Sequence, residues 1–423
     1  MKKKALSLTL AALMIVMGLT GCQSGGESSG SNEGDTITLK YWTHLETPWN
    51  ISNDKLIAAF EAENPGIKIE VEAYPYDDFE QKVQTSLLSK SGGADIYELW
   101  GGWALEFAPA GVFSPVPDEL MTDLLDDCYE PVLGAFEYDG AYYGVPLEFN
   151  AEYGGMLVNK PYFEEHDLAY PTTWDEMITL ATENSVSDGD IFEMRGFDFI
   201  SFDSLPYTWI SMILSSGGSY LEGDVFNFDT QIAKDTLQEL VNYVKVNKVT
   251  NIDGLTGSDI ENFHWVFLDE ALMAPRGIWT IPVGEEEYDV TYGEDFSYIP
   301  MPFYGTEKRW AAETGWGLAV NASSEYQEAA WKFVSFCMEP ENLLELNIDR
   351  GMIPPRKSVA HNAEYVEAVP YAEPILEVLD GASFVGPINT DVLKESICNM
   401  FVDIIQNDTP IDEAVVKLNQ DIA

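Results

Sequence analysis

Between residues 36 and 99 the spacing of apolar residues switches back and forth between two periods, and this rhythm restricts the chain's fold more than any other feature. Ile37, Leu39 and Tyr41 alternate with polar neighbours, the pattern of a half-buried strand over 36–42. From Asn53 to Asn64 the spacing becomes helical, with Leu56, Ile57 and Phe60 on one face and Pro65-Gly66 closing the segment. Ile67, Ile69 and Val71 then alternate again, Phe79, Val83 and Leu87 mark a second helix, and 95–99 reads as a short strand. This β-α-β-α-β order predicts an α/β fold, a mostly parallel sheet flanked by helices, with its ligand edge at the carboxyl ends of the strands.

The later sequence keeps this style without an internal repeat. Thr173 and Glu176 form a capping box, and Leu237, Leu240, Val241 and Val244 make an amphipathic stripe. Ser324 with Gln327 predicts a helix start, with Ala330, Phe333, Val334 and Cys337 facing inward.

Lys2, Lys3 and Lys4 followed by an apolar run from Ala5 to Gly18 read as a secretory signal, too short to span a bilayer. The ending Leu19-Thr20-Gly21-Cys22 resembles a bacterial lipobox, in which the cysteine sulfur takes a diacylglycerol and becomes the first mature residue. Residues 1–21 are then a lipoprotein signal peptide. Residues 22–34, all small or polar after Cys22, form a flexible tether. The remainder is expected outside the cytoplasmic membrane, held there by lipid alone. It is longer than one core usually grows, so two domains are expected.

The chain has 72 acidic and 22 basic residues, a formal charge of −50, and three of the basic ones lie in the leader. A field of that sign repels phosphate backbones, which excludes nucleic acid as a partner. With 46% hydrophobic and 13% aromatic residues the body is globular. Cys128, Cys337 and Cys398 have no close spacing; Cys337 belongs to an apolar stripe, and a Cys128–Cys398 pair stays open. His44, His166, His264 and His361 share no metal-ligand spacing, and no nucleophile elbow or phosphate loop occurs. No cofactor, metal or catalytic residue is expected.

Four stretches carry a family resemblance: ITLKYWTH with AAFEAENPGIKIEVE, then residues 143–177, 267–281 and 314–358. They include the Asn159-Lys160 strand end, the Pro171-x-Thr173-Trp174-Asp175-Glu176 helix start, Gly277-x-Trp279, and Gly351-x-x-Pro354-x-Arg356. In this order they resemble the extracellular solute-binding proteins of bacterial ABC importers, the group that takes sugars and oligosaccharides. One departure is Ala94 before Asp95, where many relatives have proline. The resemblance implies a two-lobe clamp of the periplasmic-binding-protein type, each lobe a mostly parallel sheet flanked by helices. It implies three crossings, placed near Pro146–Asn150, Tyr298–Phe303 and Gly351–Pro355. Lobe one would be 35–147 plus 304–353, and lobe two 148–303 plus 354–423. A monomer that closes on ligand and docks on ABC permease subunits is the expected assembly.

A carbohydrate cleft needs aromatic rings for C–H faces and fixed polar groups for hydroxyls. Trp42, His44 and Trp49 follow the first strand; Trp100 and Trp103 follow the third, with Gly101 and Gly102 allowing a bare backbone to approach a ligand. Glu148 and Asn150 fall on the first crossing, Trp279 ends a strand, and Trp316 follows Gly315. These are the candidate substrate-binding residues. Trp174 and Trp331 belong to core helices, and Arg276 and Arg356 suit ion pairs in so acidic a chain. The competing readings are a clamp for a cationic solute such as a polyamine, a receptor that passes its ligand to a sensory partner, and an anchored glycoside hydrolase, for which no paired-carboxylate motif is recognisable.

Overall fold

The computed structural model describes residues 36–89, 93–189, 191–223, 225–257, 260–386 and 390–423. The signal peptide, Cys22 and the tether lie outside them. Every element expected between 36 and 99 forms: strands Ile37–His44, Ile67–Tyr74 and Ile96–Trp100, and helices Thr47–Glu63 and Tyr76–Ser89. The first helix begins earlier than its apolar stripe, because Pro48 suits an opening turn whose N–H groups lack intrahelical partners.

In the first sheet Ile37–His44 lies between Ile67–Tyr74 and Ile96–Trp100, parallel to both. Trp316–Val320 then adds antiparallel to Ile96–Trp100, and Val145–Pro146 completes the edge. The second sheet departs from the expectation. Its central strand Gly155–Asn159 pairs antiparallel with both Met273–Pro275 and Phe296–Pro300. Apolar alternation registers a strand's faces and carries no information on its direction, which the intervening chain decides.

Three segments join the sheets side by side. Leu147 N donates to Trp316 O at 2.9 Å, Asn150 N to Thr314 O at 2.9 Å, and Phe149 N to Ile353 O at 2.7 Å. The first and third coincide with expected crossings; the second comes later than 298–303. Phe296–Pro300 still belongs to the second sheet, and the following residues stay against helix Ser204–Ser215. Gly305 N donates to Ser215 Oγ and Ala311 N to Ser211 Oγ. Trp310–Ala312 pairs with Ala382–Phe384, and the buried Trp310 ring donates from Nε1 to Val378 O at 2.8 Å. Residues 305–312 therefore pack on helix Ser204–Ser215 and strand Ala382–Phe384, and the chain re-enters the first sheet only at Trp316.

The capping box forms on helix Trp174–Asn184, and Trp174 and Trp331 are core residues whose indoles donate to Tyr243 and Ser114. Helix Gln327–Cys337 starts after Tyr326 rather than at Ser324, whose hydroxyl instead holds Asp95. Cys128, Cys337 and Cys398 are buried free thiols, so the Cys128–Cys398 pair does not form. Arg356 is ion-paired with Asp123 at 2.7 Å and Asp127 at 2.8 Å, tying the third crossing to helix Asp118–Asp127.

Candidate ligand-binding site

A cavity of about 480 Å³ lies between the lobes, over the three crossings. Seven of the nine residues expected to bind substrate line it: His44, Trp49, Trp100, Glu148, Asn150, Trp279 and Trp316. Trp42 and Trp103 do not. Trp42 is packed edge-on between Tyr74 and Tyr97, because an inward strand position faces the helices rather than the strand end. Trp103 is buried behind the wall, in edge contact with Phe79 and Trp316. The neighbouring glycines serve packing rather than ligand approach. A Cβ on Gly101 would fall 1.8 Å from Thr314 Oγ1, and one on Gly102 2.2 Å from Thr390 Oγ1.

The first-lobe wall rests on a buried ion network. Arg350, ending helix Pro340–Arg350, lies 2.9 Å from Glu98 and 3.6 Å from Glu148. Glu98 also accepts from Thr43 Oγ1 and Asn53 Nδ2. Burial alone would raise its pKa; Arg350, His44 and the hydrogen bonds outweigh burial and hold it at about 2. Glu148 has less help, so burial lifts it to about 7 against the pull of Arg350. Burial also lowers His44 to about 4, leaving a neutral ring stacked 3.8 Å from Trp316.

The second-lobe wall was largely missed by sequence reasoning. Glu152 takes hydrogen bonds from Asn150 Nδ2 and Trp279 Nε1, both at 2.7 Å. Burial raises its pKa although Arg276 opposes the shift. Arg276 pairs with Asp203 at 2.9 Å and with Glu261, and Lys394 pairs with Asp203 and Asp391 at 2.8 Å each. Arg276 thus does hold the ion pairs expected of it, while also lining the cavity. Gly277 makes this approach possible, since a Cβ there would meet Asn150 Oδ1 at 2.7 Å. Glu152 carried a signal that could have been read: it is two residues beyond Asn150 on the same crossing. Asp203, Asp391 and Lys394 carried none, because the start of helix Ser204–Ser215 and the first turns of helix Thr390–Asn407 reach the cavity only through the fold.

Several buried atoms of the lining have no hydrogen-bond partner: Trp49 Nε1, Glu148 Oε2, Asn150 Oδ1 and Glu152 Oε2. Acceptors and a donor set among aromatic rings, between two lobes joined by three segments, suit a clamp for a small polar solute.

The comparisons agree on the class. The family model for the bacterial extracellular solute-binding protein matches residues 52–343, more than half of the chain. The chain belongs to that family, whose members bind solutes for ABC transporters outside the cytoplasm and are not enzymes. An arabinooligosaccharide-binding protein of Halalkalibacterium halodurans is 24% identical over 94% of this chain and 90% of its own length. The multiple sugar-binding protein of Streptococcus mutans is 24% identical over 79% of this chain and 78% of its own. An ABC substrate-binding protein of Listeria monocytogenes, solved with cycloalternan, superposes with a TM-score of 0.75 at 20% identity, covering 92% of this chain and 98% of that one. That similarity shows the shared two-lobe clamp.

Proposed function

We propose that this protein captures a carbohydrate, an oligosaccharide, between its lobes and delivers it to the permease of an ABC importer, anchored through a lipid on Cys22. The observation that carries this reading is an aromatic-lined cavity between the lobes whose polar lining residues Glu148, Asn150, Glu152 and Trp49 each keep one atom without a hydrogen-bond partner. Sugar hydroxyls are donors and acceptors together and satisfy such a set, while C–H faces suit the rings. The named sugar and oligosaccharide ligands of the relatives support the same class. His44, Trp49, Trp100, Glu148, Asn150, Trp279 and Trp316 are the contact residues in this reading, with Glu152 added and with Trp42 and Trp103 as supports. Lobe one is 35–147 plus 316–353 and lobe two 148–315 plus 354–423, working as a monomer. A ligand touching both lobes shifts the population toward the closed form by its differential affinity.

Thermal unfolding against a panel of mono- and oligosaccharides tests it. Binding to the folded state alone raises the Tm, by about 2.7 kcal/mol of stability at a hundredfold excess over Kd. A rise with one saccharide series names the cargo; no rise with any saccharide removes the carbohydrate reading. A second reading is a cationic solute, favoured by the excess of carboxylates over Arg276 and Lys394 in the lining. Its mark is a Tm rise with spermidine that fades steeply with salt.

A further inference from the structure

Three of the four tryptophans that line the cavity have little open ring surface, and the fourth, Trp279, is partly buried. Trp49, Trp100 and Trp316 are 8%, 7% and 5% exposed. Trp316 is stacked by His44 within 6° of parallel, and Trp100 meets Trp316 edge-on while donating from Nε1 to Glu313. The Arg350 guanidinium lies 5.3 Å from the Trp49 ring centre, and that of Arg276 5.0 Å from the Trp279 ring centre. Such rings build a wall. A pyranose face needs a ring whose own face is uncovered.

Two lining aromatic residues stand out by exposure. Tyr76 opens helix Tyr76–Ser89 in the first lobe and is 48% exposed; Phe202 precedes helix Ser204–Ser215 in the second and is 39% exposed. Tyr76 lies against Trp103 at 5.7 Å and Trp316 at 6.0 Å, and Lys394 Nζ sits 4.9 Å from the Phe202 ring. Leaving a large aromatic side chain half uncovered forgoes burial, and a ligand face restores it.

Resting on the carbohydrate reading, we infer that Tyr76 and Phe202, one from each lobe, are the rings on which the sugar stacks. The tryptophans position hydrogen-bonding groups around them. Because the rings belong to different lobes, both contacts form only when the clamp closes on its ligand. The occupant is a saccharide long enough to present a C–H face to each.

Calorimetric titration with maltotriose, mannotriose and an arabinooligosaccharide mixture, with spermidine alongside, tests this on wild type, Tyr76→Ala, Phe202→Ala, Tyr76→Phe and Phe202→Tyr. The expected result is a loss of about 10- to 100-fold in affinity for each alanine variant, with the ligand-free Tm unchanged and the aromatic replacements near wild type. A wild type that binds a saccharide while both alanine variants bind equally well overturns this inference and leaves the carbohydrate reading intact. A lowered ligand-free Tm in both alanine variants, with affinity lost equally in the aromatic replacements, also overturns it, since that marks a structural role. A wild type that binds spermidine and no saccharide overturns the carbohydrate reading and this inference with it.

Discussion

Glu98 and Glu148 share Arg350 yet titrate in opposite directions, and the difference lies in their other partners. Glu98 has hydrogen-bond donors from Thr43 and Asn53, whereas Glu148 Oε1 has one long bond from Trp316 N, at 3.4 Å. A carboxyl whose folded pKa is raised contributes stability below its unfolded pKa and loses it as pH rises through the folded value. For Glu148 that window runs from the ordinary carboxylate range to about 7. Glu148→Gln should therefore unfold at a higher temperature than wild type at pH 8, with the advantage shrinking toward pH 5. The gain is on the order of 1–3 kcal/mol, read from Tm measured across that range; an advantage independent of pH would disprove the assignment. Glu98 works the other way, its contribution being lost as pH falls toward 2. Arg350→Met should cost about 3–5 kcal/mol in denaturant unfolding, because two buried carboxylates lose their counter-charge. A loss below 1 kcal/mol would mean the network is dispensable.

At the scale of elements, the tryptophan that follows the third strand marks how a sequence argument can mistake support for contact. Trp103 is on helix Gly101–Phe107, 1% exposed, with its Nε1 3.3 Å from Asp391. Trp103→Ala should destabilise the fold by about 3–5 kcal/mol as a core truncation. Any affinity change should follow from the displaced Trp316 and Tyr76, which it touches. An unchanged melting temperature in that variant would contradict the packing role. The capping box on helix Trp174–Asn184 is simpler: Thr173→Ala should cost about 1 kcal/mol and leave ligand affinity alone. Local patterns such as this one were fully legible, since every partner lies within four residues. The second crossing was not, because its place depends on residues 305–312 finding helix Ser204–Ser215, about a hundred residues earlier in the chain.

For the whole molecule, the cavity brings the two ion networks to opposite walls, so in the proposed function closure and ligand capture would be one event. Small-angle scattering should report a smaller radius of gyration when the saccharide found by thermal shift is added, and an unchanged radius would count against a hinged clamp. The proposed lipid attachment belongs to the same scale. Cys22→Ala should release the protein from the membrane fraction of its host into the medium, whereas retention would place the anchor elsewhere.

Periods of two and 3.6, a capping box and the motifs from Asn159 to Arg356 were enough to determine the elements between 36 and 99, several later helices, the α/β class and the family, because these are local properties of side-chain spacing. They also marked seven residues of the cavity lining, those next to strand ends and on the first crossing. Strand direction in the second sheet, the position of the second crossing and the inward or outward fate of each tryptophan were decided only in three dimensions. Asp203, Asp391 and Lys394 meet at the cavity although nearly two hundred residues separate the first from the others, and Trp42 and Trp103 turn inward because neighbouring elements cover them. Burial and long-range ion pairing depend on which surfaces meet, and no local pattern encodes that.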